Sequence, residues 1–127
     1  MKRKPFAIVL VWILMAPAFA VAQGKRPITF DDLISLDRVS DVQISPDGKW
    51  AAHSVGTPDK AANRTVRNIW LVATSGTTPP TQLTRSGRDS RPRWSPDGSR
   101  IAFLSSRDAS SQIYVISLDG GEAQKIT

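Results

Sequence analysis

Short apolar runs separated by turn-forming residues dominate the chain from residue 39 onward. In the carboxy-terminal part, four runs have the β-branched and aromatic content typical of strands; they cover residues 91–95, 100–105, 112–118 and 123–127. Proline, aspartate, serine and glycine lie between them, at residues 96–98, 107–111 and 119–121. Strand-like runs with regularly spaced turn residues predict an antiparallel meander of four strands.

The same pattern occurs earlier in the chain and makes an internal repeat. Three segments recur in the same order: 45–52 with 95–102, 68–72 with 112–116, and 82–84 with 125–127. The offset falls from 50 to 44 and then 43, so the first copy holds six or seven extra residues. We assign these residues to a loop between Ser54 and Asn68, which contains Pro58, Asp59 and Asn63.

Four strands in about 40 to 50 residues match the length of one β-propeller blade. The sequence therefore predicts an all-β fold class: two four-stranded antiparallel blades of an incomplete β-propeller, preceded by a short helix and a signal peptide. The predicted division is signal peptide 1–22, lead-in segment 23–38, blade 1 at 39–87 and blade 2 at 88–127.

Each copy contains a Pro-Asp-Gly turn with a clear stereochemical role. Proline presets the first central position of a type I turn, and aspartate suits the second. Gly48 and Gly98 then take a left-handed conformation, which closes a hairpin with a bulge. Metal binding is the alternative role for Asp47 and Asp97, but the turn already explains both residues.

A short helix is predicted over residues 29–36. Thr29 can cap it, and Asp32 stands three residues later, as in a capping box. Phe30, Leu33 and Ile34 form an apolar side at helical spacing. So short a helix needs another element to lie on.

The amino terminus has the three parts of a secretory signal. Lys2, Arg3 and Lys4 precede an uncharged stretch at 5–22, which ends in two A-x-A sites. We place cleavage after Ala22 and predict an exported, periplasmic or secreted protein without a stable membrane anchor. An uncleaved anchor is the alternative, although the apolar run is shorter than the roughly 20 residues of a spanning helix.

Charge and cysteine content narrow the function further. The chain of 127 residues carries 17 basic and 11 acidic residues, a net charge of +6. Three of the basic residues lie in the signal, so the mature chain has a net charge of +3 and no nucleic-acid partner is predicted. With no cysteine, the chain has neither a disulfide nor a cysteine-ligated metal site.

Several side chains have two possible roles. The aromatic residues of the repeat form either the core between blades, which we favour, or a ligand platform; they are Trp50, Trp70, Trp94 and Tyr114. His53 occupies the position of Phe103 and is expected in a packed core or edge position. Arginines on the link between the copies are either solvated loop charges, which we favour, or a patch for an anion or acidic partner; they are Arg85, Arg88, Arg91 and Arg93.

Catalytic motifs are missing from the sequence. It has no G-x-S-x-G elbow, no phosphate-binding glycine loop, and no zinc or calcium motif. A Ser-His-Asp triad would have to use His53, which falls in a predicted strand. We therefore assign no catalytic, cofactor-binding or metal residue, and no cofactor.

The repeat resembles the propeller repeat of periplasmic TolB and of the prolyl oligopeptidase family; the resemblance rests on residues 94–103, 112–115, 119–121 and 126–127. The lead-in, residues 30–48, resembles the start of secreted acylaminoacyl-peptidase and dipeptidyl-aminopeptidase relatives. The resemblance implies a secreted serine peptidase whose propeller gates access of short peptides to an α/β-hydrolase domain.

Under this resemblance, the hydrolase domain and further blades are the missing partners of the chain. Propellers have about four to eight blades, and an uncovered blade exposes one face and its edges. We therefore expect a fragment that is unstable or self-associating and has no peptidase activity alone. The alternative is a TolB-like periplasmic propeller that acts as a protein-interaction module.

Overall fold

The computed structural model of the protein describes residues 25–127, so the predicted signal peptide at 1–22 lies outside the described residues. One short helix precedes eight strands. They are α1 (Phe30–Ser35), β1 (Arg38–Ile44), β2 (Trp50–Asp59), β3 (Arg64–Ala73), β4 (Thr81–Gln82), β5 (Asp89–Trp94), β6 (Arg100–Asp108), β7 (Ser110–Ser117) and β8 (Gln124–Lys125).

The strands form two four-stranded antiparallel sheets in sequential order, β1-β2-β3-β4 and β5-β6-β7-β8. This meander is the predicted topology of both copies, and we call the first sheet blade 1 and the second sheet blade 2. Within blade 2 the four predicted runs match β5 to β8, with ends that differ by at most three residues. The all-β fold class is therefore confirmed.

The Pro-Asp-Gly turns have the predicted geometry in both blades. Gly48 and Gly98 each have a φ of +72°. The amide of Gly98 donates to the carbonyl oxygen of Ser95 at 2.9 Å, and the amide of Ser95 donates to the carbonyl oxygen of Arg100 at 2.9 Å. The hairpin therefore closes through a tight turn followed by a left-handed glycine, a conformation that a side chain would resist.

The extra residues of the first copy do not form the predicted loop. They lengthen the β2–β3 hairpin, whose pairing continues from Val55 with Asn68 out to Asp59 with Arg64. Pro58 fits because β1 pairs with β2 only as far as Gly56, so the proline faces no ladder on that side. The loop prediction was wrong because the turn residues cap a longer hairpin.

The β6–β7 connection is also tighter than predicted. The expected turn over 107–111 shrinks to the single residue Ala109, with a φ of +70°, because β6 reaches Asp108 and β7 begins at Ser110. Arg107 therefore belongs to β6, where its side chain meets Asp89 of β5, while Ser110 and Ser111 belong to β7.

The core lies between the two blades. Blade 1 contributes Ala52, Ile69 and Leu71, and blade 2 contributes larger side chains; the latter are Ile101, Phe103, Tyr114 and Ile116. Phe103 is 1% exposed and stacks on Tyr114 with 6.0 Å between ring centroids. The two sheets therefore stack face to face, and each buries one apolar face against the other.

The first strand of each blade carries a bulge at the same place. Asp41 (φ +53°) and Arg91 (φ +55°) lie where the β1–β2 and β5–β6 registers shift. The two residues are 50 positions apart, which is the offset of the repeat. The repeat therefore includes this backbone irregularity.

The predicted helix is present, with its capping box. The side-chain oxygen of Thr29 accepts from the amide of Asp32 at 3.3 Å, and Asp32 Oδ2 accepts from the amide of Thr29 at 2.8 Å. An exposed ion pair between Asp31 and Lys60 links α1 to the tip of the β2–β3 hairpin. Among residues 25–127 no helix has the length and apolarity needed to cross a membrane.

Candidate functional site

A polar cluster lies inside the interface between the blades. Asp89, the first residue of β5, is fully buried, and its Oδ1 accepts from Arg107 Nη2 at 3.1 Å. The guanidinium of Arg107 lies 4.5 Å from the ring centroid of Tyr114 and 5.7 Å from that of Phe103. A buried carboxylate is thus paired with a cation that two aromatic rings also stabilise.

Opposing effects set the charge state of Asp89. Burial raises the pKa of Asp89. Hydrogen bonds from the hydroxyl groups of Ser105, Ser86 and Thr84, together with Arg107, lower it by more than burial raises it. The net pKa lies below the usual range of an aspartate. Asp89 therefore stays ionised at neutral pH and holds the link between the blades against β6.

A cavity of about 400 Å³ opens beside this cluster. It lies between the end of blade 1 and the outer strands of blade 2, and its lining includes Leu83, Thr84, Arg107, Ile116 and Ala123. Arg85, Arg107 and Glu122 give it charged edges, and the rest of the lining is apolar or bears hydroxyl groups. In the described part of the chain, no hydrogen bond joins the hydroxyl of Thr84 or Ser86 to Glu122, so the lining shows no activated nucleophile and its chemistry fits binding.

The four linker arginines do not form one patch. Arg91 and Arg93 line a cavity on blade 2. Arg85 borders the cavity of about 400 Å³, and Arg88 lies in a groove beside Arg67. All four are exposed. This arrangement favours solvated charges over a patch, although only Arg85 and Arg88 lie in a loop, because Arg91 and Arg93 belong to β5.

The aromatic residues of the repeat divide between two environments. Tyr114 is buried in the core, and Trp94 packs against it while its indole Nε1 donates to the carbonyl oxygen of Gln43 at 3.0 Å. Trp50 is 37% exposed, and Trp70 is half-buried opposite His53. The prediction of a core between blades holds for the two aromatic residues of blade 2 and fails for the two of blade 1.

His53 lies in β2, as predicted, at the position equivalent to Phe103. It is half-buried, and this partial burial lowers its pKa. In the part of the chain that the structure describes, no three histidine or acidic side chains come together as metal ligands would. His53 is therefore a packing residue of blade 1.

Asp47 and Asp97 act within their turns. Asp97 Oδ1 accepts from Ser95 Oγ at 2.5 Å and from the amide of Ser99 at 3.0 Å, while its Oδ2 accepts from Ser99 Oγ at 2.8 Å. These bonds lower the pKa of Asp97 to about 2. Asp47 repeats the first two contacts with Ser45 and Lys49, and its pKa is also lowered.

Sequence reasoning missed the ion pair of Asp89 with Arg107. The signal was available: counting outward along the hairpin from the Pro-Asp-Gly turn, and allowing for one bulge, pairs Asp89 with Ser105. Arg107 follows two positions later on the same face of β6. Blade 1 has Val39, Val55 and Thr57 at the equivalent positions, so the repeat alone does not indicate the pair.

Two stacked blades joined through one core define the chain as a segment of a β-propeller. The relatives that it resembles in sequence are peptidases and TolB proteins, although no family model matches. It is 39% identical to the uncharacterized peptidase YuxL of Bacillus subtilis over 81% of this chain and 16% of YuxL. It is 30% identical to dipeptidyl-peptidase 5 of Porphyromonas gingivalis over 89% of this chain and 17% of that enzyme.

A shorter match links the chain to TolB. The Tol-Pal system protein TolB of Bordetella pertussis is 43% identical over 56 residues, which cover 43% of this chain and 13% of that protein. The peptidase matches extend over about twice as much of the chain. The chain spans about one sixth of the length of its peptidase relatives.

Solved structures agree on the fold. The propeller domain of the trilobed protease from Pyrococcus furiosus has a TM-score of 0.61 at 22% identity, covering 74% of this chain and 28% of that one. Pyrococcus horikoshii acylaminoacyl peptidase has a TM-score of 0.62 at 23% identity, covering 75% of this chain and 14% of that one. The chain therefore has the fold of peptidase β-propellers, and its homologues are peptidases.

Proposed function

We propose that the chain is the propeller segment of an exported serine peptidase, and that the propeller limits which peptides reach an α/β-hydrolase domain encoded outside these 127 residues. The observation that carries the proposal is the 39% identity to a peptidase over 81% of the chain. The catalytic serine, aspartate and histidine belong to that hydrolase domain.

The structure suggests how such a segment contributes to gating. A propeller admits a substrate through the narrow space that its blades enclose, so its selectivity depends on rigid blades. The shared core fixes blade 2 against blade 1, and the pair of Asp89 with Arg107 ties β5 to β6 within blade 2. A rigid, non-catalytic wall of this kind excludes folded proteins and admits short, extended peptides.

Reading the genomic DNA on both sides of this coding sequence tests the proposal. We expect additional blade-length repeats and a downstream G-x-S-x-G elbow in a hydrolase sequence. The full reading frame should then hydrolyse short peptides and leave the same sequence uncut inside a folded protein. Replacing the elbow serine by alanine is the control, and hydrolysis that survives this change contradicts the proposal.

The 127-residue chain itself should not hydrolyse peptides. Its sequence contains no nucleophile elbow, and His53 is half-buried in a strand. A peptide-ester assay on the purified chain should give the rate of buffer. Hydrolysis that disappears with a single serine-to-alanine change in this chain would place catalysis within it and refute the proposed division of labour.

Export is part of the proposal and has its own test. Residues 1–22 have the charge and hydropathy of a secretory signal, with cleavage placed after Ala22. Mass spectrometry of chain recovered from the periplasm or medium should show an amino terminus at Gln23. A mass that includes Met1 would indicate an uncleaved anchor instead.

A TolB-like interaction module is the second candidate. The 43% identity to TolB over 56 residues supports it, although that match covers less than half of the chain. Flanking DNA that encodes further blades but no nucleophile elbow would favour this function. The exported propeller would then be expected to bind a protein partner and to lack hydrolytic activity even in its full-length form.

A further inference from the structure

A small basic groove lies where the linker from blade 1 to blade 2 enters β5. Its volume is about 160 Å³, and β3, the linker, β5 and β6 all border it. The lining consists of two arginines, three hydroxyl side chains and a glycine: Arg67, Arg88, Thr65, Ser90, Ser106 and Gly87. The groove joins residues of both blades, so it belongs to the contact between the two described blades and not to an outer face of either.

Strand register places Arg67 on the face of blade 1 that contacts blade 2. Arg67 follows Ile69 on this face of β3 and lies opposite Gly56 of β2. A Cβ atom at Gly56 would lie 3.6 Å from Cγ and 3.7 Å from Nε of Arg67, so the arginine side chain lies over the glycine. The apolar contact between the blades therefore becomes basic and polar two residues beyond Ile69, toward the tip of the β2–β3 hairpin.

Backbone hydrogen bonds hold the two arginines side by side. Arg67 and Arg88 form a parallel bridge, in which the amide of Arg67 donates to the carbonyl oxygen of Gly87 at 2.8 Å. The amide of Gly87 donates to Asn68 Oδ1 at 2.9 Å. The amide of Ser106 donates to the carbonyl oxygen of Arg88 at 3.1 Å. The linker is thus fixed to β3 on one side and to β6 on the other.

The two guanidinium groups bring positive charge together without an acidic partner. Among residues 25–127, no aspartate or glutamate forms an ion pair with Arg67 or Arg88. Arg88 Nη1 donates to the carbonyl oxygen of Ser106 at 3.4 Å, which leaves most donors of both side chains for a ligand. Like charges on paired backbone segments repel each other, and an anion held between them would remove this repulsion.

The donors of the basic groove fit a tetrahedral oxyanion. Each guanidinium presents a planar fork of N–H groups, and forks of this kind bind phosphate oxygens in pairs. Hydroxyl-bearing residues border the groove on three strands, Thr65 on β3, Ser90 on β5 and Ser106 on β6. A carboxylate is planar and offers two oxygen atoms, whereas phosphate or sulfate offers oxygen atoms in four directions and can meet donors from all these segments.

We propose that the basic groove binds a tetrahedral oxyanion, phosphate or sulfate, between Arg67 and Arg88. The ligand neutralises the two guanidinium groups and bridges blade 1 to blade 2. Both arginines are exposed, so the site is in contact with solvent and its affinity falls as the salt concentration rises. The inference is independent of the proposed peptidase activity, because it uses only residues of the two blades.

Isothermal titration calorimetry of the full chain with inorganic phosphate, at constant ionic strength, tests the proposal. We expect one phosphate per chain, and binding at least about ten-fold weaker in Arg67→Gln and in Arg88→Gln. Arg85→Gln is the matched control, because it removes the same charge from an exposed residue of the same linker outside the basic groove. It should bind phosphate like the wild type.

Circular dichroism checks that each variant is folded. Where a glutamine disrupts the fold, Arg67→Lys and Arg88→Lys take its place. These lysines keep the charge but lose the planar fork, so they should still weaken binding measurably. Sulfate should compete with phosphate, and acetate at the same ionic strength should not.

Four outcomes overturn the proposal. The first is a wild type that does not bind phosphate. The second is an equal loss in Arg85→Gln, which would indicate general attraction by the positive chain. The third is acetate competing as well as sulfate, which would indicate a carboxylate site. The fourth is phosphate binding that disappears in the full reading frame, because another segment of the longer polypeptide would then occupy the groove.

Discussion

Blade 1 and blade 2 share one backbone plan but differ in what they bury. Both have the Pro-Asp-Gly turn, the bulge on the first strand and the sequential four-strand order. Blade 2 buries Phe103, Tyr114 and the pair of Asp89 with Arg107. At the positions equivalent to Phe103 and Tyr114, blade 1 has the half-buried His53 and Trp70.

The difference arises from position in the stack. The face of blade 2 that carries Phe103 and Tyr114 lies against blade 1, so a large aromatic core and the carboxylate of Asp89 are removed from water there. The same face of blade 1 has no neighbouring blade among the described residues. The burial of a blade's side chains therefore depends on which blades lie beside it. Each sheet forms through its own hydrogen bonds, but its faces are buried only when another blade stacks on them.

The largest effect expected is at the buried aromatic position. Phe103→Ala should lower the free energy of unfolding by about 4 kcal/mol, because it leaves a cavity between the blades. His53→Ala, at the equivalent position of blade 1, should cost about 1 kcal/mol. Urea unfolding followed by circular dichroism measures both, and equal losses would contradict the assignment of the buried face to blade 2.

The second largest loss of stability is expected when the ion pair of Asp89 with Arg107 is broken. Arg107→Met should destabilise the protein by about 3 kcal/mol, because Asp89 would be left buried without its cation. Adding Asp89→Asn should restore part of this loss, since the amide carries no charge. Thr57→Met, the equivalent change on blade 1, is exposed and should stay within about 0.5 kcal/mol. If Arg107→Met lowers the free energy of unfolding no more than Thr57→Met does, the ion pair contributes no stability.

The turns should respond alike, because here the blades do not differ. Gly98→Val and Gly48→Val should each cost about 1 kcal/mol or more through left-handed strain. Gly98→Asn should cost less, because asparagine tolerates this conformation better than valine does. Urea midpoints for the four proteins provide the measurement; a valine without effect in either blade would reject the left-handed glycine there.

The smallest expected effect is the loss of stability at low pH through protonation of the turn aspartates. The pKa of Asp97 is about 2 in the folded protein, below its ordinary value of 3.8. Its stabilising contribution is therefore complete above about pH 4 and is lost as the pH falls through 2. Lys49 stands where Ser99 donates a hydroxyl bond, so Asp47 should titrate at a higher pH than Asp97. NMR titration of both carboxyl groups tests this order, with Asp97→Asn to assign the signal.

Local patterns predicted the features that local chemistry determines. Thr29 with Asp32 predicted the helix start, and the Pro-Asp-Gly turns predicted the hairpins, because a few adjacent residues decide each structure. The same reasoning misjudged Pro58 and Asn63, whose turn preferences mark the tip of a long hairpin as well as a loop. Loop or hairpin depends on cross-strand pairing, which sequence neighbours do not reveal.

The contacts that bury side chains between the blades were harder to predict than the strands. Asp89 and Arg107 are 18 positions apart and meet only because one bulge shifts the register of β5 on β6. Trp50 and Trp94 both flank a Pro-Asp-Gly turn, yet one is exposed and the other packs in the joint. Which face a neighbouring blade covers is a property of the stack, and the repeat pattern is the same on both blades.

The indole bond between Trp94 and Gln43 has a consequence for spectroscopy. The emission of an indole changes when its surroundings become wetter, and Trp94 stands where one sheet touches the other. Trp70, which pairs with His53, lies on the far side of blade 1, so its emission should change little when the two sheets separate. The fluorescence of Trp94 thus distinguishes separation of the two sheets from unfolding of either sheet.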